Sequence, residues 1–326
     1  MSDATPDLTV VLTTAAPFDS LWRTLAAVAS QTIAERIEVL ILVPRDDVSE
    51  RGASLLARFH SWRVIECGPI DNVDHTAAKG LLMAAAPVCA SIEDHAFPDP
   101  EWGARILEAF EHDCVAAGSC MENANPKAGL SWSNMLIAYG QWSPTTPAGP
   151  TDWVALHNGT YRRAALEPYG EELWKLFNRE SEILVKLRDG GGAFRFVPGA
   201  RIRHLNPSSL SSTAKLRFDA GRLYAANRAR DEGWSLPKRI AYVGLGPVIP
   251  LLRYLRMRKE LLGGNTGRSE AKLGPFLLLG LIFDAAGQMA GFAAGPGGAR
   301  GRLAVFEMDR LDHLNTSDRS VFEAVP

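Results

Sequence analysis

Two acids and a histidine, Glu93-Asp94-His95, close a run of small and apolar residues from Pro87 to Ile92, and Pro98, Pro100 and Trp102 follow at once. Pro87 to Ile92 reads as a buried strand. The three polar residues therefore stand at the rim of a sheet, where α/β folds place their ligands. Glu93 and His95 are two positions apart and point to the same side of an extended chain. One carboxylate and one imidazole so placed could hold a divalent cation such as Mn²⁺ or Mg²⁺. The competing use is a solvated acidic turn capping a helix that starts near Pro100, and the segment alone does not choose between them.

The elements around this segment follow a regular alternation. Leu8 to Leu12, Ile37 to Val43 and Arg63 to Glu66 read as strands, and Pro87 to Ile92 as a fourth. Between them, Phe18 to Gln31 places Leu21, Leu25, Val28 and Ala29 on one helical face, and Ala53 to Phe59 and Thr76 to Ala86 also read as helices. Pro100 to Glu111 adds another. Strands alternating with helices predict an α/β fold with a mostly parallel sheet flanked by crossover helices. Residues 6–115 are expected to form a nucleotide-binding half.

Residues 121–157 are irregular in pattern and rich in Asn, Pro, Ser, Thr and Trp. Trp132, Trp142 and Trp153 could stack on sugar rings or simply anchor loops. His157 to Arg163 reads as a strand turning into a helix. A helix is expected from about Asn178 to Arg188, stopped by Gly190-Gly191-Gly192. Phe194 to Val197 and Ala200 to His204 read as two short strands, and Leu210 to Arg230 as a helix.

The 326 residues suit one large domain plus an appendage, and the apolar (46%) and charged (22%) fractions are those of a soluble protein. A net charge of −2 argues against a general nucleic-acid binder. Cys67, Cys89, Cys114 and Cys120 form no CxxC pair, which suits reduced thiols in a cytosolic protein. The first residues lack the basic and apolar regions of a signal peptide, so a cytoplasmic location is expected.

The last hundred residues change character. Ile240 to Leu252 has no charge and is followed by Arg253, Arg256, Arg258 and Lys259, and Leu273 to Ala299 carries only Asp284. Neither is a clean apolar span, since one is short and the other holds an acid near its middle. Basic residues beside apolar segments suit anionic headgroups, so residues 233–326 are expected to be a helical, membrane-associated extension at the inner face of the cell membrane. A glycine-rich hairpin packed on the rest of the chain, or a dimer contact, is the alternative.

Taken together, the segments resemble a family 2 glycosyltransferase of the GT-A fold. Leu8-Thr9-Val10-Val11-Leu12-Thr13-Thr14 is similar to that family's first strand. Leu21 to Thr32 is similar to its first helix with the terminal Gln31-Thr32, and Glu38 to Leu42 to its second strand. Ala77-Ala78-Lys79-Gly80 fits the segment before the metal motif, and Glu93-Asp94-His95 stands where the family carries Asp-X-Asp. Asn158, Tyr161, Arg162, Arg163 and Leu166 resemble the segment before the acceptor-side acid, and Glu180, Ile183, Leu187 and Gly191 the helix that bears it. The resemblance covers residues 8 to about 230, with 6–232 as the transferase domain and 116–232 as its acceptor half.

That resemblance implies transfer of a sugar from a nucleotide-sugar donor to a glycan, lipid-linked or cell-surface acceptor, with inversion. Thr13, Thr14, Asp46, Lys79, Glu93 and Asp94 would meet the donor, and Glu93 and His95 a divalent cation. His204, at the end of Arg201-Ile202-Arg203-His204, is a third candidate ligand or else a surface histidine. A His in place of a carboxylate favours Mn²⁺ over Mg²⁺. Glu180 would be the general base, with Glu182 as the alternative; the two lie about 200° apart on a helix and cannot share the task. Trp153 and Asn158 would face the acceptor. The second strand ends in Val43-Pro44 where the family often has Asp-Asp, and Asp46 and Asp47 come later. The altered motif also allows an impaired relative that only binds nucleotide or partners, or a metal-dependent hydrolase or nucleotidyltransferase on a similar sheet.

Overall fold

A computed structural model describes residues 5–177, 182–262 and 270–323. The fold is α/β. Nine strands form one sheet: β1 (Leu8–Thr13), β2 (Ile37–Val43), β3 (Ser61–Glu66), β4 (Val88–Glu93), β5 (Ala96–Pro98), β6 (Ala116–Asn123), β7 (Gly149–Thr151), β8 (Thr160–Arg162) and β9 (Phe194–His204). Their order is β3-β2-β1-β4-β8-β6-β9-β5, with β7 also on β9. The first four are parallel, whereas β8 runs antiparallel to both β4 and β6, so the sheet is mixed beyond β4.

Every residue of β1 and β2 is buried, as continuous apolar runs covered by helices on both faces should be. The exception in chemistry is Glu38 in β2, which is 4% exposed. Thr9 Oγ1 (2.7 Å), the Ala85 amide (2.8 Å) and Arg63 (3.3 Å) satisfy its carboxylate. β3 lies at the edge and is only partly buried.

Caps move two helices from their expected bounds. Ser49 accepts from the Gly52 amide and starts a helix at Glu50–Leu56 rather than at Ala53. Asn72 accepts from the His75 amide, so the next helix is Val73–Leu82 rather than 76–86. The helix expected from Pro100 is Trp102–Ala109. Residues 194–204 form one strand through Pro198-Gly199, because β7 and β5 pair along its two ends. All four cysteines are free; Cys89, Cys114 and Cys120 are buried, and Cys67 is exposed just past β3.

The chain divides into two compact units. One is Met1–Glu122 with Trp142–His204; the other is Asn123–Gln141 with Leu205–Pro326. The second takes in a helix, Gly129–Tyr139, that lies within the stretch read as irregular. Its buried residues are half apolar (Trp132, Met135, Leu136) and half polar: Ser131 bonds Asn123 and Asn125, and Asn134 donates to the Pro207 carbonyl and to Thr213, so the apolar period is broken. The long Glu270–Ala294 helix packs against Leu210–Asp231 at very close range. A Cβ on Gly287 would lie 1.9 Å from the Phe218 carbonyl oxygen, and one on Gly221 2.1 Å from that of Asp284. Asp284 is itself buried, paired with Arg253 and accepting from Gln288 at 2.6 Å.

Candidate metal centre at the strand switch

Strand order reverses between β1 and β4: β2 and β3 continue from β1 on one side, and β4 stands on the other. In open α/β sheets, the carboxyl ends of strands at such a switch border the ligand crevice. Thr13 and Glu93 are register partners at these ends. Here Glu93 ends β4, His95 sits in the turn into β5, and His204 ends β9 opposite Ala96. The turn and the β5–β9 pairing bring together residues from the middle and the far end of the first unit.

Among the described residues, Glu93, His95 and His204 form the group that could hold a metal, with ligand atoms all within 4.8 Å of one another. Glu93 Oε2 is 3.3 Å from His204 Nε2 and 3.8 Å from His95 Nε2. Metal–ligand bonds of about 2.0–2.2 Å separate neighbouring ligand atoms by roughly 3 Å, which the Glu93–His204 gap approaches, and the wider gaps would close onto a bound ion. The two histidines are almost fully buried and their rings meet edge-on at 4.8 Å. Two imidazoles and one carboxylate suit Mn²⁺ or another borderline cation better than Mg²⁺.

The surroundings orient these three groups. His95 Nδ1 lies 2.8 Å from Asp94 Oδ1. With the ring proton on that nitrogen, the Nε2 lone pair faces Glu93, the arrangement in which an outer carboxylate fixes a ligating tautomer. Thr14 Oγ1 donates to the other Asp94 oxygen (2.8 Å), and Thr24 Oγ1 donates to the Asp94 carbonyl (2.8 Å). Asp94 is thus held on both oxygens as an orienting group. Asn158 grips Glu93 twice: its Nδ2 donates to Oε2 (2.6 Å) and its Oδ1 accepts from the Glu93 amide (3.0 Å). Asn158 does so at φ +59°, the one non-glycine residue in the left-handed region among those described.

Burial raises the cost of charge on Glu93, but His95, His157 and a hydrogen bond from His204 outweigh it and hold the carboxyl well below its ordinary range. His157 Nδ1 faces Glu93 Oε1 at 3.4 Å and Asp74 Oδ1 at 3.9 Å. Neither His157 nor Asp74 stands out in the sequence, although the Asn158-Gly159 turn signal beside His157 marks the spot.

The surroundings of other residues around the sheet are as follows in the structure. The Asp46 amide donates to Glu66 (3.1 Å) in the loop after β2. Lys79 is exposed on the Val73–Leu82 helix, where its charge acts on His75 and Cys67. Trp153 lies under the Arg188 guanidinium at 4.7 Å. Thr13 Oγ1 is buried and has no hydrogen-bond partner among the described residues. Arg201 and Arg203 alternate with Ile202 and His204 along β9, point outward, and pair with Glu122 (3.3 Å) and Asp99 (3.1 Å). Trp102 is fully buried and donates to Ser119 (2.9 Å). Gln31 donates to the Asp99 carbonyl and accepts from the Gly103 amide, both at 2.8 Å, and so clamps the end of the first helix onto the segment after β5. Glu180 lies outside the described residues; Glu182 opens the Glu182–Asp189 helix.

No family model and no curated protein matches this chain. Two solved structures are similar to parts of it. "Crystal structure of GalNAc-T7 with UDP, GalNAc and Mn2+" is 13% identical with a TM-score of 0.41, covering 63% of this chain and 44% of that one. "Crystal structure of S. aureus TarS" is 12% identical with a TM-score of 0.44, covering 68% and 40%. The chain therefore spans less than half of either.

Proposed function

We propose that the chain is a glycosyltransferase of the GT-A kind, moving a sugar from a nucleotide-sugar donor to a glycan or lipid-linked acceptor. The observation that supports this most is the Glu93–His95–His204 donor set at the β1/β4 switch, in a chain whose segments resemble family 2 in order. These three residues would hold a divalent cation, Mn²⁺ or Mg²⁺. Such a cation supplies positive charge to the diphosphate that leaves as the glycosidic bond breaks.

The chain's own residues do the rest. Asp94 keeps His95 in one tautomer, Asn158 fixes the Glu93 carboxylate, and His157 offsets its charge. Thr13, Thr14, Asp46 and Lys79 are assigned to the donor side, and Trp153 and Asn158 to the acceptor side. Glu180, or Glu182 in its place, takes the proton of the acceptor hydroxyl. The freed oxygen attacks the anomeric carbon from the face opposite the leaving diphosphate, which inverts that carbon.

Purified protein with Mn²⁺ or Mg²⁺, offered UDP-, GDP- and dTDP-sugars, is expected to release nucleoside diphosphate from one of them. His95→Ala and Glu180→Gln should lose that release. Two imidazoles with one carboxylate are also a ligand set of hydrolytic zinc sites, which favours a metal-dependent hydrolase as the second possibility. Attack on phosphorus would yield nucleoside monophosphate instead, and that product would refute sugar transfer. Thermal stabilisation by nucleotide with no release from any donor would point to a binding-only relative.

A further inference from the structure

Two helices of the second unit turn most of their large aliphatic residues outward. Leu236–Leu245 and Ile249–Leu262 are joined by the single turn Gly246–Val248, and no residue of the first is buried. Seven large aliphatics face outward: Leu236 (65% exposed), Ile240 (62%), Leu245 (57%), Val248, Leu251, Leu252 and Leu255. Three polar side chains turn inward, beside Tyr242, Val243 and Met257, which pack on the core. Arg239 Nε donates to the Phe292 carbonyl (2.7 Å), Arg253 pairs with Asp284, and Tyr254 donates to Glu270 (2.8 Å). A surface helix of a soluble protein arranges these the other way round. Single exposed leucines are ordinary, but seven exposed aliphatics within twenty positions are the kind of surface that marks an interaction.

Charge identifies the occupant. From Gly233 to Lys259 the chain has no Asp or Glu against six Lys and Arg; Arg239 and Arg253 turn inward, but Lys238 (3.7 Å from Glu232), Arg258 (3.4 Å from Glu270) and the exposed Arg256 reach the surface. A second copy docked on the same face would set these cations against their own images. Anionic lipid headgroups complement them, and the acyl boundary beneath accepts the leucines. We infer that the segment from Leu236 to Leu255 lies in the plane of an anionic membrane surface, independently of the reaction proposed above. At a rise of about 1.5 Å per residue the two helices are roughly 15 and 21 Å long, too short for a hydrocarbon core of about 30 Å. The Glu270–Ala294 helix is long and apolar enough to cross, but half of its apolar window is buried in the fold, and with Asp284 turned onto Arg253 it serves as the inner support.

The full chain would be sedimented with vesicles of phosphatidylcholine alone and of phosphatidylcholine mixed equally with phosphatidylglycerol, at low and high salt. The expected result is binding to the mixed vesicles that weakens with salt, and a Leu251→Glu/Leu252→Glu double variant whose partition falls on the order of a hundredfold. Both leucines are half exposed, so the variant should melt as the parent does. Arg256→Glu, also at an exposed position, should weaken binding by a smaller factor if the double variant fails to fold. Equal partition onto the two vesicle types overturns the inference. So does a concentration-dependent dimer in solution, abolished by either variant, in a protein that ignores vesicles.

Discussion

Removing the Asp94 side chain should weaken metal binding without removing a ligand. The carboxylate touches no ligand atom but holds His95 Nδ1 at 2.8 Å and is held by Thr14 at 2.8 Å. In Asp94→Ala, His95 loses the group that fixes its tautomer and ring angle, and the Nε2 lone pair no longer has a set direction. Loss of such an outer-shell partner costs about 10- to 100-fold in affinity, or about 1.4 to 2.8 kcal/mol. Asp94→Asn separates position from charge. Its carbonyl oxygen can still accept from His95 Nδ1 while its amide donates to Thr14, whose hydroxyl retains Ser20 at 3.1 Å. The asparagine variant should therefore fall between the parent and the alanine variant. Titration of Mn²⁺, read by the electron paramagnetic signal of the free ion, gives the three affinities, with melting in chelator as the folding control. Parental affinity in Asp94→Ala would refute the orienting role. A loss as deep as that of His95→Ala would show that Asp94 is a ligand, or that the turn has collapsed.

Asn158→Gly should unfold at higher denaturant than Asn158→Ala by about 1 kcal/mol, because both lose the grip on Glu93 but only alanine is strained at φ +59°. Gly287→Ala should destabilise by about 1–3 kcal/mol in thermal melts despite alanine's better helix propensity, because its Cβ would enter the Phe218 carbonyl. His313 is stacked flat on Phe306, and burial first, then Arg310, lowers its pKa. The unfolded chain thus binds the extra proton, so stability should fall as pH drops below the ordinary histidine pKa of about 6.5. Urea melts across that window should show a flatter slope in His313→Gln; an unchanged slope would place the acid sensitivity elsewhere.

The parallel half of the sheet is legible in the sequence because β1, β2 and β4 are continuous apolar runs closed by turn residues. Glu93 is legible as the polar end of its strand, whereas His95 sits in the following turn, which places it beside Glu93 without the strand alternation the sequence suggests. His204 is visible as the polar end of a strand, but its meeting with Glu93 depends on the β5–β9 pairing, which no local pattern announces. Asn158 and His157 reach Glu93 from 65 and 64 positions away (158 − 93 and 157 − 93). The Gly129–Tyr139 helix escapes notice because it buries Ser131, Ser133 and Asn134 among Trp132, Met135 and Leu136, which blurs the apolar period. The outward aliphatics of the Leu236–Leu255 segment are equally hidden, since a sequence shows that leucines are present but not which way they turn.

Cys67 gives experimenters a foothold beside the crevice. It follows β3, and the parallel registers place that end of the sheet together with the ends of β2, β1 and β4. The other three thiols are buried, so a thiol-directed fluorophore would attach at one place and need no engineered background. Partial burial raises the Cys67 pKa against the pull of Lys79, so coupling calls for mildly alkaline buffer. A dye there would report occupancy of the neighbouring strand ends by any ligand, whether or not a reaction follows.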